Sequence, residues 1–344
     1  MTTYNVTLEP IEEEFECGAD ETVLEAALRH GYNLVHGCRE GRCTACKSFL
    51  VEGYVDLRPY STFALSESEE EEGFTLLCRA MPESDLVIEL LDYDPDGYRL
   101  ENPVRDVTAR VQELAPLTHD VMRLALEVEG EPLAFKPGQY VDLLVPGSDE
   151  RRSYSMANLP GNGRLEFIIK RYPGGVLSGL LGGDLKVGDE MRLSGPYGNC
   201  VLDHTSAQEG CLLIAGGSGM APMLALLREI VESGRTAMPV TFFYGGRAPR
   251  DLFYVDLIHE LGAKLDRFEF LPVLSDLPDT ESWDGERGFL HEAVDRFLTS
   301  SSTLAATEHQ VYMAGPQVMV DTVSELLTKR HQVDSDLLTF DTFG

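Results

Sequence analysis

Cys38, Cys43 and Cys46 stand in the run Cys38-Arg39-Glu40-Gly41-Arg42-Cys43-Thr44-Ala45-Cys46, and Cys78 follows alone in Thr75-Leu76-Leu77-Cys78-Arg79. A C-x4-C-x2-C run with a distant fourth cysteine is the spacing at which four thiolates hold a [2Fe-2S] cluster. Such a cluster carries one electron at a time, so its chemistry is electron transfer. One compact loop must aim three sulfurs at a small dinuclear core. Gly37 and Gly41 let the backbone curl where a side chain would collide. The N–H groups of such a loop face the sulfurs and stabilise the reduced, more negative state. Cys43 and Cys46 alone would suit half of a zinc knuckle, but Cys78 lacks the close Cys or His partner that a zinc site wants. An odd count of 7 cysteines in a long chain argues against a disulfide framework.

A second group of residues fits a flavin dinucleotide. Arg152-Ser153-Tyr154-Ser155 offers a cation for a pyrophosphate, an aromatic wall for an isoalloxazine and a hydroxyl near N5. Alternation along a strand lets Arg152 and Tyr154 share a face. Gly174-Gly175-Val176-Leu177-Ser178 opens a helix whose bare N–H groups suit a phosphate. Pro137-Gly138-Gln139-Tyr140 precedes and Gly195-Pro196-Tyr197-Gly198 follows, and the four segments in this order suit an FAD-binding barrel.

The third group is Ala215-Gly216-Gly217-Ser218-Gly219-Met220-Ala221-Pro222, placed after an apolar strand and before a helix. A dinucleotide pyrophosphate binds at such a helix N-terminus. Pro222 stands where a third glycine is common, and proline fits a first helical turn. Phe243-Tyr244-Gly245-Gly246-Arg247 ends the next strand, where the adenosine should lie. No acid sits there to hold a ribose 2′-hydroxyl, and Arg247 suits a 2′-phosphate, so NADH against NADPH stays open on this chemistry. Ala314-Gly315-Pro316 sits at a late strand-to-helix turn suited to the nicotinamide. Phe340 and Phe343 either cover the flavin face or simply pack the tail.

The elements that must position these groups fall into three segments. Residues 1–98 read as a β-hairpin, a helix over Glu21 to Arg29 with Asp20 as N-cap, and the cluster loop, an order that suits a β-grasp ferredoxin domain. Residues 103–205 are strand-rich, with apolar patterning at Thr108 to Val111, Val121 to Leu126 and Leu165 to Ile169, and predict an antiparallel β-barrel. Residues 206–344 alternate strand and helix: Cys211 to Ala215, Met223 to Glu232, Val240 to Tyr244, Gln310 to Ala314 and Val318 to Lys329. That alternation predicts a doubly wound parallel α/β sheet. The fold class is therefore α/β plus β.

Composition narrows the function further. A net charge of −30 argues against a nucleic-acid partner. Residues 1–100 hold 22 acidic and 7 basic residues, and the densest run is Glu67-Ser68-Glu69-Glu70-Glu71-Glu72. That run is either a solvated loop or a face that steers a basic partner toward the cluster. No run of about 18 apolar residues suggests a membrane span. The opening Met1-Thr2-Thr3-Tyr4-Asn5 has no signal-like pattern, so a cytoplasmic protein is expected, with a monomer plausible for a mobile carrier.

The whole chain resembles the NADH-dependent reductase components of soluble di-iron monooxygenases. The resemblance rests on His36 to Lys47 and Gly73 to Arg79 for the cluster, and on Arg152 to Asn158 and Lys170-Arg171-Tyr172-Pro173-Gly174-Gly175 for the flavin. It is nearest to the propane and alkene monooxygenase reductases. It implies NADH rather than NADPH, and a relay from NADH through FAD and the cluster to a separate hydroxylase acting on small hydrocarbons. A reductase for a Rieske dioxygenase is the alternative. The implied ligands are Cys38, Cys43, Cys46 and Cys78 for iron; Arg152, Ser153, Tyr154, Ser155, Lys170, Gly174, Gly175, Val176, Ser178 and Phe343 for FAD; and Gly217, Ser218, Gly219, Met220, Pro222, Tyr244, Gly245, Arg247, Gly315 and Pro316 for NADH. Two departures stand out: Ala314 replaces the cysteine usual before Gly-Pro in that family, and the tail Phe340-Asp341-Thr342-Phe343 varies from the usual aromatic-acid-Lys-Phe.

Overall fold

Nine elements lead from the amino terminus: β1 (Thr3–Glu9), β2 (Glu13–Gly18), α1 (Val23–Arg29), β3 (Lys47–Glu52), β4 (Val55–Leu57), α2 (Glu67–Glu71), β5 (Phe74–Leu76), β6 (Ala80–Pro82) and β7 (Leu86–Leu90). The computed structural model describes residues 2–95, 97–148, 150–206, 208–278, 280–300 and 306–343. The chain divides into two units, Met1–Arg105 and Asp106–Gly344.

In the first unit the sheet order is β2-β1-β7-β3-β5, with β4 and β6 forming a separate pair. β1 and β7 run parallel, while β1–β2, β3–β7 and β3–β5 are antiparallel. Period-two alternation buries Val6 and Leu8 of β1, Phe15 and Cys17 of β2, and Leu86 and Ile88 of β7. α1 packs against β2 and buries Val23, Leu24, Ala26, Ala27 and Leu28. One helix gripped by a mixed sheet is the expected β-grasp.

The N-cap of α1 is Thr22 rather than Asp20. Thr22 Oγ1 accepts from the Glu25 N–H at 3.2 Å, and the Glu25 carboxylate accepts from the Thr22 N–H at 2.8 Å. This reciprocal pair satisfies two orphan donors at once, which a lone aspartate two residues earlier does not. The same device, Ser66 with Glu69, caps α2. The acidic run is therefore a helix rather than a loop, and its negative charge favours the helix N-terminus.

The second unit opens with β8 (Arg105–Pro116), β9 (Val121–Val128), β10 (Tyr140–Leu144), β11 (Arg151–Ser155), β12 (Arg164–Lys170), α3 (Val176–Leu180) and β13 (Glu190–Tyr197). Its first sheet has the order β11-β10-β13-β8-β9-β12. A bridge between Met156 and Phe167 brings the two ends together, so the antiparallel sheet nearly closes into a barrel. Val111, Leu126, Val141, Leu143, Phe167 and Leu193 fill it.

Then come β14 (Gly210–Gly216), a 3-10 turn (Gly217–Gly219), α4 (Met220–Glu232), β15 (Val240–Gly246), α5 (Val255–Gly262), β16 (Phe268–Leu274), β17 (Glu286–Arg287), α6 (Leu290–Ser300), β18 (His309–Pro316), α7 (Gln317–Glu325) and β19 (Leu338–Phe343). These strands form one sheet in the order β17-β16-β15-β14-β18-β19, with every pairing parallel. Strand order reverses between β14 and β18, and ligands bind beyond the carboxyl ends of strands at such a switch point. α4 starts at Met220, three residues before its expected start, and α7 continues as a π-helical turn, Leu326–Arg330. Barrel residues Val121, Ala157, Ile168 and Cys200 share one apolar core with Leu213, Ala215, Leu224 and Leu227 of the parallel sheet and α4. Arg228 of α4 reinforces this junction by donating to the Ala157 carbonyl at 2.7 Å. Among the described residues, no helix is long and apolar enough to cross a membrane.

Candidate cofactor sites

The cluster loop runs between α1 and β3, and Cys78 lies two residues past β5. Cys46 and Cys78 are buried, whereas Cys38 is exposed. The N–H groups of Glu40 and Arg42 donate to Cys38 Sγ at 3.4 and 3.2 Å, and the Cys38 N–H donates to Cys43 Sγ at 3.4 Å. Burial raises the Cys38 thiol, but these N–H groups outweigh it and hold its pKa below the ordinary value. The Cys78 thiol donates to Cys46, which drops to about 7, while Cys78 is pushed up by that same proton. Gly41 adopts a left-handed φ of +69°, and a Cβ there would come within 2.8 Å of Tyr60 and 2.9 Å of Arg79. A Cβ on Gly37 would lie 3.1 Å from Cys43 Sγ. Thiolate-favouring donors and a loop with no room for side chains fit an iron–sulfur cluster held by these four cysteines.

On the barrel, β10 pairs with β11 so that Tyr140 faces Ser155 and Val141 faces Tyr154. Arg152 is exposed and pairs with Glu150 at 2.6 Å. Ser153 donates to Asp142 Oδ1 at 2.6 Å, which directs it into the strand pair. Tyr154 is half-buried against the barrel core, and burial pushes its phenol up to about 12. The Lys170 ammonium sits 5.7 Å from the Tyr172 ring centroid. Gly174 has φ +76° with open space at its missing Cβ, while a Cβ on Gly175 would meet Ser178 Oγ at 2.1 Å. Ser178 Oγ accepts from the Tyr172 N–H at 3.2 Å and so shapes the turn into α3, whose N-cap is Gly175 and whose first residue, Val176, is exposed.

Sequence reasoning missed one residue here. Asp341 of β19 pairs in register with Ala314 and lies beside Ser155. Ser155 Oγ and Asp341 Oδ2 are both buried with no hydrogen-bond partner in the protein. Burial pushes Asp341 up to about 6, against the lowering effect of the Ser155 hydroxyl. Two unpartnered polar atoms at the end of an R-x-Y-S strand await a polar ligand, as FAD would supply. Phe343, one alternation along from Asp341, packs against the shared core, while Phe340 points the other way and is half-exposed. The signal for Asp341 in the sequence was its place as the acid of the tail Phe340-Asp341-Thr342-Phe343.

At the switch point, Gly217 has φ +57° and nothing within 4 Å of its missing Cβ, so one side of the loop is open. Gly219 is the opposite case: a Cβ there would stand 2.0 Å from the Ala314 carbonyl oxygen. The loop thus lies directly on β18, beside Gly315 and Pro316. Ser218 is half-buried on the loop, whereas Met220 and Pro222 are buried and anchor the start of α4. Tyr244 is also fully buried, with its ring edge-on to Phe253 and its hydroxyl donating to the Asp251 carbonyl at 3.4 Å. It therefore shapes the strand end from beneath, while Gly245 and the exposed Arg247 reach the rim. The structure also changes the expectation that no acid follows this strand. The 3-10 turn Pro249–Asp251 folds Asp251 back onto Arg247, a contact four residues long that a strand-end motif does not reveal.

This arrangement defines an iron–sulfur flavoprotein oxidoreductase. Residues 6–83 match the 2Fe-2S iron-sulfur cluster binding domain, residues 108–202 the oxidoreductase FAD-binding domain and residues 213–325 the oxidoreductase NAD-binding domain. The chain is similar to the reductase component of propane 2-monooxygenase from Gordonia sp. (strain TY-5), with 44% identity over 99% of this chain and 97% of that one. It superposes on the crystal structure of an Amycolatopsis cytochrome P450 reductase with TM-score 0.88, 32% identity and 99% of each chain covered. It superposes also on a ferredoxin reductase of carbazole 1,9a-dioxygenase with TM-score 0.83 and 31% identity, covering 100% of this chain and 99% of that one. The chain belongs to the family of reductase components of multicomponent monooxygenases, which carry a [2Fe-2S] cluster, FAD and an NAD-binding domain in one polypeptide.

Proposed function

We propose that this reductase draws electrons from NADH and delivers them to a separate di-iron hydroxylase that oxidises a small hydrocarbon, propane or a near relative of it. The observation that carries the reading is the presence, in one chain, of a four-cysteine one-electron site and a glycine loop for a two-electron carrier. Similarity to a propane monooxygenase reductase over nearly the whole chain supports the choice of acceptor. Similar folds serving a P450 and a dioxygenase support only the wider role, since function lives in the site and not the fold.

When bound, the cofactors supply hydride uptake at the flavin and single-electron transfer at the cluster. The protein's residues do the rest. Cys38, Cys43, Cys46 and Cys78 hold the iron, and the N–H groups of Glu40 and Arg42 offset thiolate charge. Arg152, now paired with Glu150, would hold the FAD pyrophosphate, Tyr154 would wall the isoalloxazine, and Ser153, Lys170, Gly174, Gly175, Val176 and Ser178 would shape its cradle. Ser155 and Asp341 would hold a proton for the flavin. Gly217, Ser218 and Gly219 present N–H groups to the NADH pyrophosphate, and Gly315 and Pro316 border the nicotinamide. The three functional segments correspond to residues 1–98, 103–205 and 206–344. The protein works as a monomer in the cytoplasm, with neither nucleic acid nor membrane as partner.

The acidic helix α2 supplies the docking charge. It sits close to the cluster loop, because the Ser61 N–H donates to the Gly41 carbonyl at 2.9 Å and Lys47, one residue past Cys46, pairs with Glu69 at 2.7 Å. Phe63, two residues past Ser61, is 96% exposed and offers an apolar contact beside those acids.

An anaerobic NADH titration followed by visible absorbance and EPR tests the relay. Flavin bleaching together with a reduced-cluster signal, at about three electrons per chain, is expected from one two-electron and one one-electron centre. Bleaching with no cluster signal would overturn the four-cysteine assignment. Reconstitution with a di-iron hydroxylase and, separately, with a Rieske dioxygenase then distinguishes the two acceptors by NADH-coupled product formation.

A further inference from the structure

We infer that a rim of carboxylates at the ends of β15 and β16 makes this reductase reject NADPH, with Asp251 and Asp276 as the specificity-determining residues and Arg247 neutralised by Asp251 and Asp120. The inference rests on the β14–α4 loop being the pyridine-dinucleotide site.

In a doubly wound sheet the adenosine lies past the carboxyl end of the strand beside the glycine loop. Here that strand is β15, whose Gly245 pairs in register with Gly216. Arg247 follows immediately, and alone it would attract a 2′-phosphate. Its guanidinium, however, is already engaged. Asp251 Oδ2 accepts from Arg247 Nε at 3.2 Å and from the backbone N–H groups of Arg247 and Ala248 at 3.2 Å each, and Asp251 Oδ1 accepts from Arg247 Nη2 at 3.4 Å. From the barrel, Asp120 accepts from the same Nη2 at 3.5 Å and stands 3.7 Å from Lys170. The tip of β16 adds a third acid. The Ser275 N–H donates to the Gly246 carbonyl at 3.1 Å and the Asp276 N–H to the Arg247 carbonyl at 2.8 Å, which places Asp276 on the same rim.

Arg247 thus pairs with Asp251 and Asp120 and Lys170 with Asp120, while Asp276 adds its charge to the same rim and His119 lies alongside, 3.7 Å from Asp120 and 3.8 Å from Asp251. Burial pushes Asp251 up, yet the donors of Ala248 and Arg247 outweigh it, so it stays ionised at neutral pH. A 2′-hydroxyl is a donor that a carboxylate accepts. A 2′-phosphate is a dianion that would have to strip Arg247 from Asp251 and lie among like charges, a repulsive device of the kind that sets specificity.

The test is steady-state ferricyanide reduction by the cofactor-loaded enzyme with NADH and with NADPH. Wild type, Asp251→Asn, Asp251→Ser/Asp276→Ser and the latter combined with Arg247→Ala are compared, each checked for flavin and cluster absorbance. In the double variant kcat/KM for NADPH should rise roughly tenfold or more, the effect of about 1.4 kcal/mol. Asp251→Asn, which keeps the turn's shape, should show part of that gain, and Arg247→Ala should abolish it. A change in NADPH kcat/KM below about threefold in the double variant, or a gain that survives loss of Arg247, would overturn the inference. Absence of NADH oxidation by wild type would instead refute the dinucleotide site itself.

Discussion

Replacing Gly219 by alanine tests how the dinucleotide loop is held. The added Cβ would stand 2.0 Å from the Ala314 oxygen, 2.4 Å from its carbonyl carbon and 2.9 Å from the Gly315 nitrogen. Ordinary carbon–oxygen contacts begin near about 3.3 Å, so something must move by roughly an ångström. β18 cannot yield, because it is hydrogen-bonded to β14 on one side and β19 on the other. The loop can, because Gly217 has open space around it. Gly219 itself has φ −58°, so the cost is steric rather than conformational. Overpacking of this kind costs about 1–3 kcal/mol, which corresponds to roughly a 5- to 150-fold rise in KM for NADH as the loop's N–H groups leave their line. The control is Gly217→Ala, where a left-handed φ of +57° costs about 1–2 kcal/mol with no clash. Steady-state NADH–ferricyanide kinetics read both variants, with flavin and cluster absorbance checked for each. A Gly219→Ala enzyme whose KM stays within about twofold of wild type would refute the close approach of loop and strand.

Cys46→Ser should abolish NADH-driven reduction of cytochrome c yet leave NADH reduction of a small dye at the flavin; loss of both together would mean that the cluster chiefly serves structure. Asp341 has a folded pKa of about 6, above its unfolded value, so its protonated form favours the fold and stability falls as pH rises from about 4 to 6. Asp341→Asn should remove that slope and melt higher than wild type above pH 6, and parallel melting curves across that range would contradict the burial argument. Docking through α2 predicts that coupled turnover with the hydroxylase weakens between low and about 0.5 M salt while dye reduction does not. A salt-insensitive coupling would remove the electrostatic role.

Much of the site was legible because its parts are local. Cys38, Cys43 and Cys46, the R-x-Y-S strand and the glycine loop each act within a few residues, so spacing encodes much of their geometry, while Cys78 reaches the cluster loop only through the fold. The strand and helix patterns likewise placed β1, β9, β12, β14, β15 and β18, since apolar alternation reports burial wherever a strand lies on a core. Local competition explains the smaller misses. Thr22 displaced Asp20 as the cap because it forms a box with Glu25, and the same chemistry turned the glutamate run into α2.

The amino-acid sequence by itself determined the cofactors this protein is built for, because those binding motifs are short and carry their own turns. Tertiary structure alone decided which groups from distant segments share a site. Ser155 meets Asp341 only because β19 adds to the edge of β18 and brings the tail to the barrel. Arg247 meets Asp120 only because the barrel and the parallel sheet share a core. Such contacts join residues more than a hundred positions apart, and no local periodicity records them.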